Sequence, residues 1–187
     1  MKTYSTPIRP IVYAASLLLM CGSIASAETT PNSSATAVDS TMNAHPQLAR
    51  GDRRFVEKIA KISAEDVALS RLAADRASRE EVREFARQLI ADHEKANSDL
   101  SLLASNKGVV LPVADRTKLD RWANKKGKDF DEDYLEKMID GHKDAVDAME
   151  SSAKKAEDTD VAAYARDHLA AMQEHLRKAK DLKKLVD

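Results

Sequence analysis

The chain has 187 residues, of which 30 are basic and 31 acidic, and it contains a single cysteine, Cys21. This charge balance argues against a nucleic-acid-binding protein, which needs a basic excess on one face. Because Cys21 lies in a predicted signal peptide that is removed on export, disulfides, thiol catalysis and zinc-thiolate sites are excluded as well.

The first 27 residues have the pattern of a secretory signal peptide. Two basic residues precede an apolar run at residues 11–20, and Ala25-Ser26-Ala27 forms an A-x-A cleavage site. The apolar run is too short to span a membrane, so we expect export to the periplasm and no transmembrane segment in the mature chain. Met20 is a poor residue before a lipidated cysteine, and outer-membrane lipoprotein anchoring is therefore not expected.

Residues 28–51 are rich in Ser, Thr, Asn and Ala and show no apolar periodicity, which predicts a disordered tether. Residues 52–187 are predicted to form one domain of four long helices, because few glycines and prolines interrupt them. The predicted helices span Asp52–Ala77, a segment from just after Ser78 to about Lys107, Asp129–Ala156 and Thr159–Leu185. Asp52 and Thr159 are predicted N-caps, and Ser78 with Glu81 is predicted to form a capping box.

The connection between the second and third helices is long for a helical bundle. Gly108 to Pro112 cannot continue a helix, and a short helical piece at about Asp115–Lys125 follows, with Leu119 and Trp122 on one face. Such a segment can carry the chain back along the bundle. The predicted fold class is therefore all-α, a ferritin-like four-helix bundle with a crossover that carries a short extra helix.

Each predicted helix has a polar residue near the middle of its apolar stripe, at a position where Leu or Ile is expected. These residues are Asp66, His93, His142 and His175. Counting residues from the two predicted hairpin turns places all four near the middle of the bundle, at about the same depth. His168 lies on the same stripe as His175 but ~10 Å further along the axis, so we expect it in a different layer.

Two interpretations of this layer stay open. In the first, Asp66 and the three histidines are ligands of a divalent transition metal such as zinc, copper or iron, since neutral imidazole suits these ions. In the second, they form a metal-free hydrogen-bond network that sets the register of the helices in a structural or protein-interaction bundle. The methionines at core spacing are interpreted as packing residues.

Enzymatic activity is not favoured by the sequence. A di-iron oxidase of this fold needs Glu three residues before a histidine on two helices, whereas Ile90, Ile139 and Met172 occupy those positions. The chain also has no nucleophile elbow and no glycine-rich phosphate loop. An oxidase or peroxide-handling enzyme therefore ranks behind both non-enzymatic interpretations.

Five segments together resemble a bacterial exported family known as domain of unknown function four-one-four-two. The segments are residues 64–73, 85–95, 108–112, 134–142 and 174–176. The resemblance covers about Asp52 to Leu185 and implies a ferritin-like fold and export. It places the family's acidic residue, usually Glu, on Asp66 and its histidines on His93, His142 and His175.

The family has no established activity, so the resemblance implies a fold and a compartment and no mechanism. The resulting expectation is a non-enzymatic protein of the cell envelope, with a role in stress or metal handling. This expectation is compatible with three kinds of partner: a metal ion, another envelope protein or a second copy of the chain.

Overall fold

A computed structural model of the protein describes residues 47–113 and 115–187. The predicted signal peptide and residues 28–46 of the predicted tether lie outside the described residues. The helices are α1 at Arg50–Arg76, α2 at Glu80–Asn106, a 3-10 helix at Arg116–Trp122, α3 at Gly127–Lys155 and α4 at Thr159–Val186. The predicted all-α fold is confirmed, and each α-helix begins and ends close to its predicted bounds.

The four helices form a bundle in the cyclic order α1, α2, α4, α3. α1 packs against α2 and α3, and α4 packs against the same two helices. Ser78, at the end of α1, contacts Asp131 at the start of α3, and Lys107, after α2, contacts Asp158 before α4. The connection from α2 to α3 therefore runs the length of the bundle, which confirms the predicted crossover. Trp122 in the 3-10 helix of this connection is buried.

The helix ends differ from the prediction because carboxylates at each end bind the backbone of a neighbouring helix. Asp52 is not an N-cap but lies inside the first turn of α1, where its Oδ2 accepts a hydrogen bond from the Asp158 amide at 2.8 Å. α4 is capped by Asp158 instead of Thr159, since Asp158 Oδ1 accepts from the amides of Asp160 and Val161. The Asp52 contact joins two helices and is not visible in a local sequence pattern, whereas the Asp158 cap is a local contact one residue before the predicted N-cap.

The predicted capping box of Ser78 and Glu81 is wrong for the same reason. Asp131, fully buried on α3, accepts hydrogen bonds from the Ser78 amide at 2.8 Å, the Ser78 hydroxyl at 2.6 Å and the Arg79 amide at 3.0 Å. The Ser78 hydroxyl is therefore occupied across the bundle. α2 begins at Glu80 with no side-chain hydrogen bond at its N-cap, Arg79.

The core consists of two apolar clusters. One contains buried side chains such as Phe55, Leu100, Met149, Val161 and Met172, and the other includes Leu69, Leu89, Phe130, Tyr134 and Met138. On each helix, buried polar side chains separate the residues of the first cluster from those of the second. These polar residues are Ser63, Asp66, His93, His142 and His175. Within the described ranges, no helix is both long enough and apolar enough to cross a bilayer.

Candidate metal centre

Three histidines from three different helices meet in the polar layer. His93 lies on α2, His142 on α3 and His175 on α4, and each is at most 2% exposed. One nitrogen from each ring lies within 4.8 Å of the other two, and His93 Nε2 is 3.3 Å from His142 Nε2. The three ring centroids are 5.3 to 5.5 Å apart. Each histidine lies on the apolar face that its helix buries in the core, and the three imidazoles therefore lie close together.

Each imidazole is also oriented by a hydrogen bond to a group outside the histidine cluster. His93 Nδ1 lies 2.8 Å from the Ser63 hydroxyl, and His142 Nδ1 donates to the Met138 carbonyl oxygen at 2.9 Å. His175 Nε2 donates to Asp92 Oδ2, also at 2.9 Å. Metal-binding histidines in proteins almost always have such a partner on the nitrogen that does not bind the metal.

These partners determine which nitrogens carry lone pairs. Because His142 Nδ1 holds the proton donated to the carbonyl, His142 Nε2 has a free lone pair. By the same reasoning, His175 Nδ1 has a lone pair, since its Nε2–H donates to Asp92. His175 Nδ1 is buried and has no hydrogen-bond partner among the described residues. Lone pairs of His142 and His175 are therefore available inside the cluster.

The environment keeps all three imidazoles neutral at pH 7. Burial, reinforced by the other two histidines, lowers the pKa of His93 to about 3. Burial also lowers the pKa of His142 to about 4. The pKa of His175 is lowered by burial as well, although the Asp92 carboxylate opposes this shift. A neutral imidazole is the form that binds a metal ion.

Asp66 lies beside this cluster and not within it. Its Oδ2 is 3.7 Å from His142 Nδ1, the nitrogen that faces Met138, and the converging ligand atoms found in the described part of the chain are the three histidine nitrogens. Neither carboxyl oxygen has a hydrogen-bond partner among residues 47–113 and 115–187. Burial raises the pKa of Asp66 to about 8 against the lowering effect of Lys137, so the carboxyl is mostly neutral at pH 7.

Sequence reasoning missed Ser63, which orients His93. Ser63 is 4% exposed and precedes Asp66 by three residues, which places it about one helical turn away on the same buried face. This spacing was the signal in the sequence that could have identified it. Asp92 directly precedes His93 in the sequence, but the structure pairs it with His175 on another helix. His168 lies in a separate layer, as expected, with Nε2 3.4 Å from Asp99 Oδ2.

The helix order, the crossover and the polar layer define a ferritin-like four-helix bundle with a candidate metal centre at mid-height. The family model described as Domain of unknown function (DUF4142) matches residues 37–182, and the chain belongs to this family. That is the family that the sequence resembles. No protein of curated function matches the chain by sequence.

Solved structures share the fold at low sequence identity. A DUF305 fragment from Deinococcus radiodurans matches with a TM-score of 0.65 and 15% identity, over 74% of this chain and 99% of that chain. A DUF305 protein from Streptomyces coelicolor matches with a TM-score of 0.63 and 16% identity, over 73% and 93% of the two chains. CopM in its Cu(I)-bound form matches with a TM-score of 0.61 and 19% identity, over 71% and 95%.

Proposed function

We propose that this protein binds a transition-metal ion at the centre of its bundle through His93, His142 and His175. The observation that carries the proposal is the orientation of three buried, neutral imidazoles by Ser63 and two other outer partners, with one nitrogen of each ring within 4.8 Å of the other two. Metal–nitrogen bonds of ~2.0–2.1 Å at a tetrahedral angle place two nitrogens ~3.4 Å apart. The 3.3 Å separation of His93 Nε2 and His142 Nε2 fits this value.

The donor set limits the class of metal. Neutral imidazoles suit zinc, copper and iron, whereas magnesium and calcium prefer oxygen ligands. CopM, which shares the fold, has been solved with copper and with silver bound, so copper belongs among the metals to be tested. We propose that the protein uses this site in metal handling or stress protection in the cell envelope, after export directed by the predicted signal peptide.

Asp66 has a different place in this proposal from the three histidines. Its predicted role as a direct ligand stays a prediction. In the observed arrangement its carboxyl lies next to His142 Nδ1, whereas His142 Nε2 faces His93. Positive charge placed on the imidazole by a bound ion would favour loss of the Asp66 proton, and the resulting carboxylate would stabilise that charge. We therefore propose that Asp66 acts through His142.

A metal-free network that sets helix register is the alternative function, and the short contact between His93 and His142 is consistent with it. One buried polar atom of the cluster favours the metal site over this alternative. His175 Nδ1 lacks a hydrogen-bond partner within the described ranges. A network that served only to align the helices would satisfy its buried polar atoms, because each unsatisfied atom is costly.

Metal titration of the untagged protein tests the proposal. The protein is stripped with a chelator and titrated with Zn(II), Cu(II) and, under a reductant, Cu(I), each against a competing chromophoric chelator. We expect one tightly bound ion per chain and a thermal shift that grows with free metal; an ion at a hundred times its dissociation constant stabilises by about 2.7 kcal/mol. His93→Leu, His142→Leu and His175→Leu should each lose this binding.

Tyr134→Phe is the matched control for these variants. It also removes a buried polar group from the core, since Tyr134 OH pairs with the Ser70 hydroxyl at 2.9 Å, but it lies two helical turns from His142. It should lower stability and leave metal affinity unchanged. The proposal is wrong if the native protein binds none of the three ions, or if His93→Leu shows the same stoichiometry and thermal shift.

A further inference from the structure

Two grooves run along opposite faces of the bundle. One lies between α2 and α4 and has a volume of about 760 Å³, and the other lies between α1 and α3 and has a volume of about 430 Å³. In the cyclic order α1, α2, α4, α3, the α2–α4 side of the bundle lies opposite the α1–α3 side, so the two grooves open on opposite sides of the histidine cluster. Each is therefore a possible route from the surface towards the centre.

The two grooves differ in charge. The groove between α2 and α4, here called the acidic groove, is lined by five carboxylates and one lysine, Lys95. These carboxylates belong to Asp92, Asp99, Asp160, Asp167 and Glu174. The groove between α1 and α3, here called the basic groove, is lined by five lysines and three carboxylates. A cation approaching the protein is attracted to the first groove and repelled from the second.

The acidic groove connects directly to the histidine cluster through His175. This residue lines the groove, its side chain is 2% exposed, and its buried Nδ1 has no hydrogen-bond partner among the described residues. Its Nε2 donates to Asp92, whose side chain is 44% exposed in the same groove. One imidazole ring thus separates a solvent-accessible carboxylate from the interior of the cluster.

A second imidazole lies further along the same groove. His168 Nε2 is 3.4 Å from Asp99 Oδ2, and its ring centroid is 4.4 Å from that of Tyr164. The His168 side chain is 17% exposed, so solvent reaches this imidazole and carboxylate. The pair offers nitrogen and oxygen donors to a cation before it reaches Asp92.

We propose that the acidic groove between α2 and α4 is the route by which metal cations enter, from the His168–Asp99 pair to Asp92 and then along His175 into the histidine cluster. The inference rests on the proposed metal site. The inference further states that the metal ion binds faster than it would through an uncharged groove. A cleft lined with charges of one sign raises the local concentration of ions of the opposite sign. The groove acts on the rates of binding and release more than on the equilibrium affinity.

Stopped-flow loading with Cu(II) tests this route, using the quenching of intrinsic tyrosine and tryptophan fluorescence by the bound ion. The test variant is Asp99→Asn/Asp167→Asn, which removes two charges from the acidic groove without touching the three histidines. At low ionic strength we expect its association rate constant to fall ~3- to 10-fold, and the difference to shrink in 0.5 M salt. His168→Leu should slow loading and also release, leaving the dissociation constant within about twofold, as expected for a residue on the path.

The matched control is Asp140→Asn/Asp144→Asn, which removes the same two charges from the basic groove. The inference predicts little change in its loading rate. Equal slowing of both double variants, or no slowing of the acidic-groove variant, would overturn the route. Equilibrium titration of the same samples keeps the two proposals distinct: if the native protein binds no Cu(II), Zn(II) or Cu(I), the metal site itself fails, whereas normal affinity with unchanged rates rejects only the route.

Discussion

His93 Nε2 lies 3.3 Å from His142 Nε2, and this pair determines where the protons sit in the metal-free cluster. His142 Nε2 has a lone pair, because the proton on Nδ1 is donated to the Met138 carbonyl. The hydrogen bond between the two rings is therefore donated by His93 Nε2, and His93 Nδ1 accepts from the Ser63 hydroxyl. If both Nε2 atoms held an ion, the His93 proton would lie on Nδ1, and Nδ1–H would donate a hydrogen bond to the same hydroxyl oxygen.

Ser63→Ala is predicted to weaken metal binding without removing a ligand. The hydroxyl orients His93 in both protonation arrangements, and loss of such an outer partner lowers metal affinity ~10- to 100-fold. Competition titration against a chelator measures the change. Ser70→Ala is the control, since Ser70 is also a buried serine of α1 but pairs with Tyr134 instead of a histidine. Equal affinities of Ser63→Ala and the native protein would show that the hydroxyl does not position His93.

Metal affinity is predicted to persist at mildly acidic pH. A site of exposed histidines loses affinity below about pH 6.5, where free imidazole becomes protonated. Burial lowers the pKa of His93 to about 3 and that of His142 to about 4, so both rings remain neutral at pH 5.5. Competition titrations at pH 7.0 and 5.5 should give dissociation constants within about tenfold of each other. A hundredfold loss would indicate imidazoles that titrate as in water.

Asp66 is predicted to make the stability of the metal-free protein depend on pH in an unusual direction. Burial raises its pKa to about 8 in the folded protein, from an ordinary value of 3.8. Between these values the folded state holds a proton that the unfolded state has released, so the stabilising contribution is complete below about pH 3.8 and is lost as pH rises towards 8. The slope approaches ~1.4 kcal/mol per pH unit.

Asp66→Asn should remove this slope. Urea denaturation at pH 5.0, 6.0 and 7.5 gives the free energy of unfolding of the native protein and the variant. The advantage of the variant is expected to increase with pH. Asp140→Asn, whose side chain is 67% exposed, controls for the loss of a charge. A constant difference between Asp66→Asn and the native protein over this range would mean that Asp66 titrates normally.

The histidines act in the opposite direction, so comparison of variants is needed to separate the two effects. Folding lowers the pKa of His93 from 6.5 to about 3, and the folded state then holds fewer protons than the unfolded state between these values. The stability contributed by a neutral His93 is present above about pH 6.5 and is lost as pH falls towards 3. Subtracting the Asp66→Asn curve from the native curve removes this shared contribution.

The helices were predictable because a buried face repeats along a helix with a fixed period, and the crossover was predictable because the connection after Gly108 is long. The end contacts were not predictable in this way. Asp52 binds the backbone of Asp158, and Asp131 binds that of Ser78, across 106 and 53 residues of sequence. A capping motif describes only neighbours along the chain, whereas these carboxylates act between helices that meet after the bundle has formed.

The sequence predicted the height of the candidate site along the bundle, but not the direction in which each side chain points around its helix axis. Counting residues along a helix gives the height of a side chain, and all three histidines meet at the height expected. The count does not give the direction of a side chain around the helix axis. Residues 63 and 66 differ by about 60° around α1, and this difference directs Ser63 to His93 and Asp66 to the far side of His142.

Gly141 and Asp66 are predicted to be energetically coupled. Gly141 lies inside α3, where replacement by Ala would favour the helix by about 1 kcal/mol. A Cβ at position 141 would lie 3.3 Å from Asp66 Oδ1, closer than most contacts of this kind, and 3.5 Å from Oδ2, an ordinary van der Waals distance. Since Asp66 is 1% exposed and lies against His142, its carboxyl has little room to move away. Gly141→Ala should therefore be destabilising in the native background.

A double-mutant cycle separates this crowding from the preference of the helix for alanine. In an Asp66→Ala background the carboxyl is gone, and Gly141→Ala should stabilise by about 1 kcal/mol, which implies a coupling energy of ~1–2 kcal/mol. Free energies of unfolding in urea, measured without metal, give the cycle. Gly51→Ala is the control, because nothing lies within 4 Å of its added Cβ and its effect should be additive with that of Asp66→Ala. Additivity at position 141 would show that Asp66 moves freely, and a carboxyl that moves freely is not held beside His142.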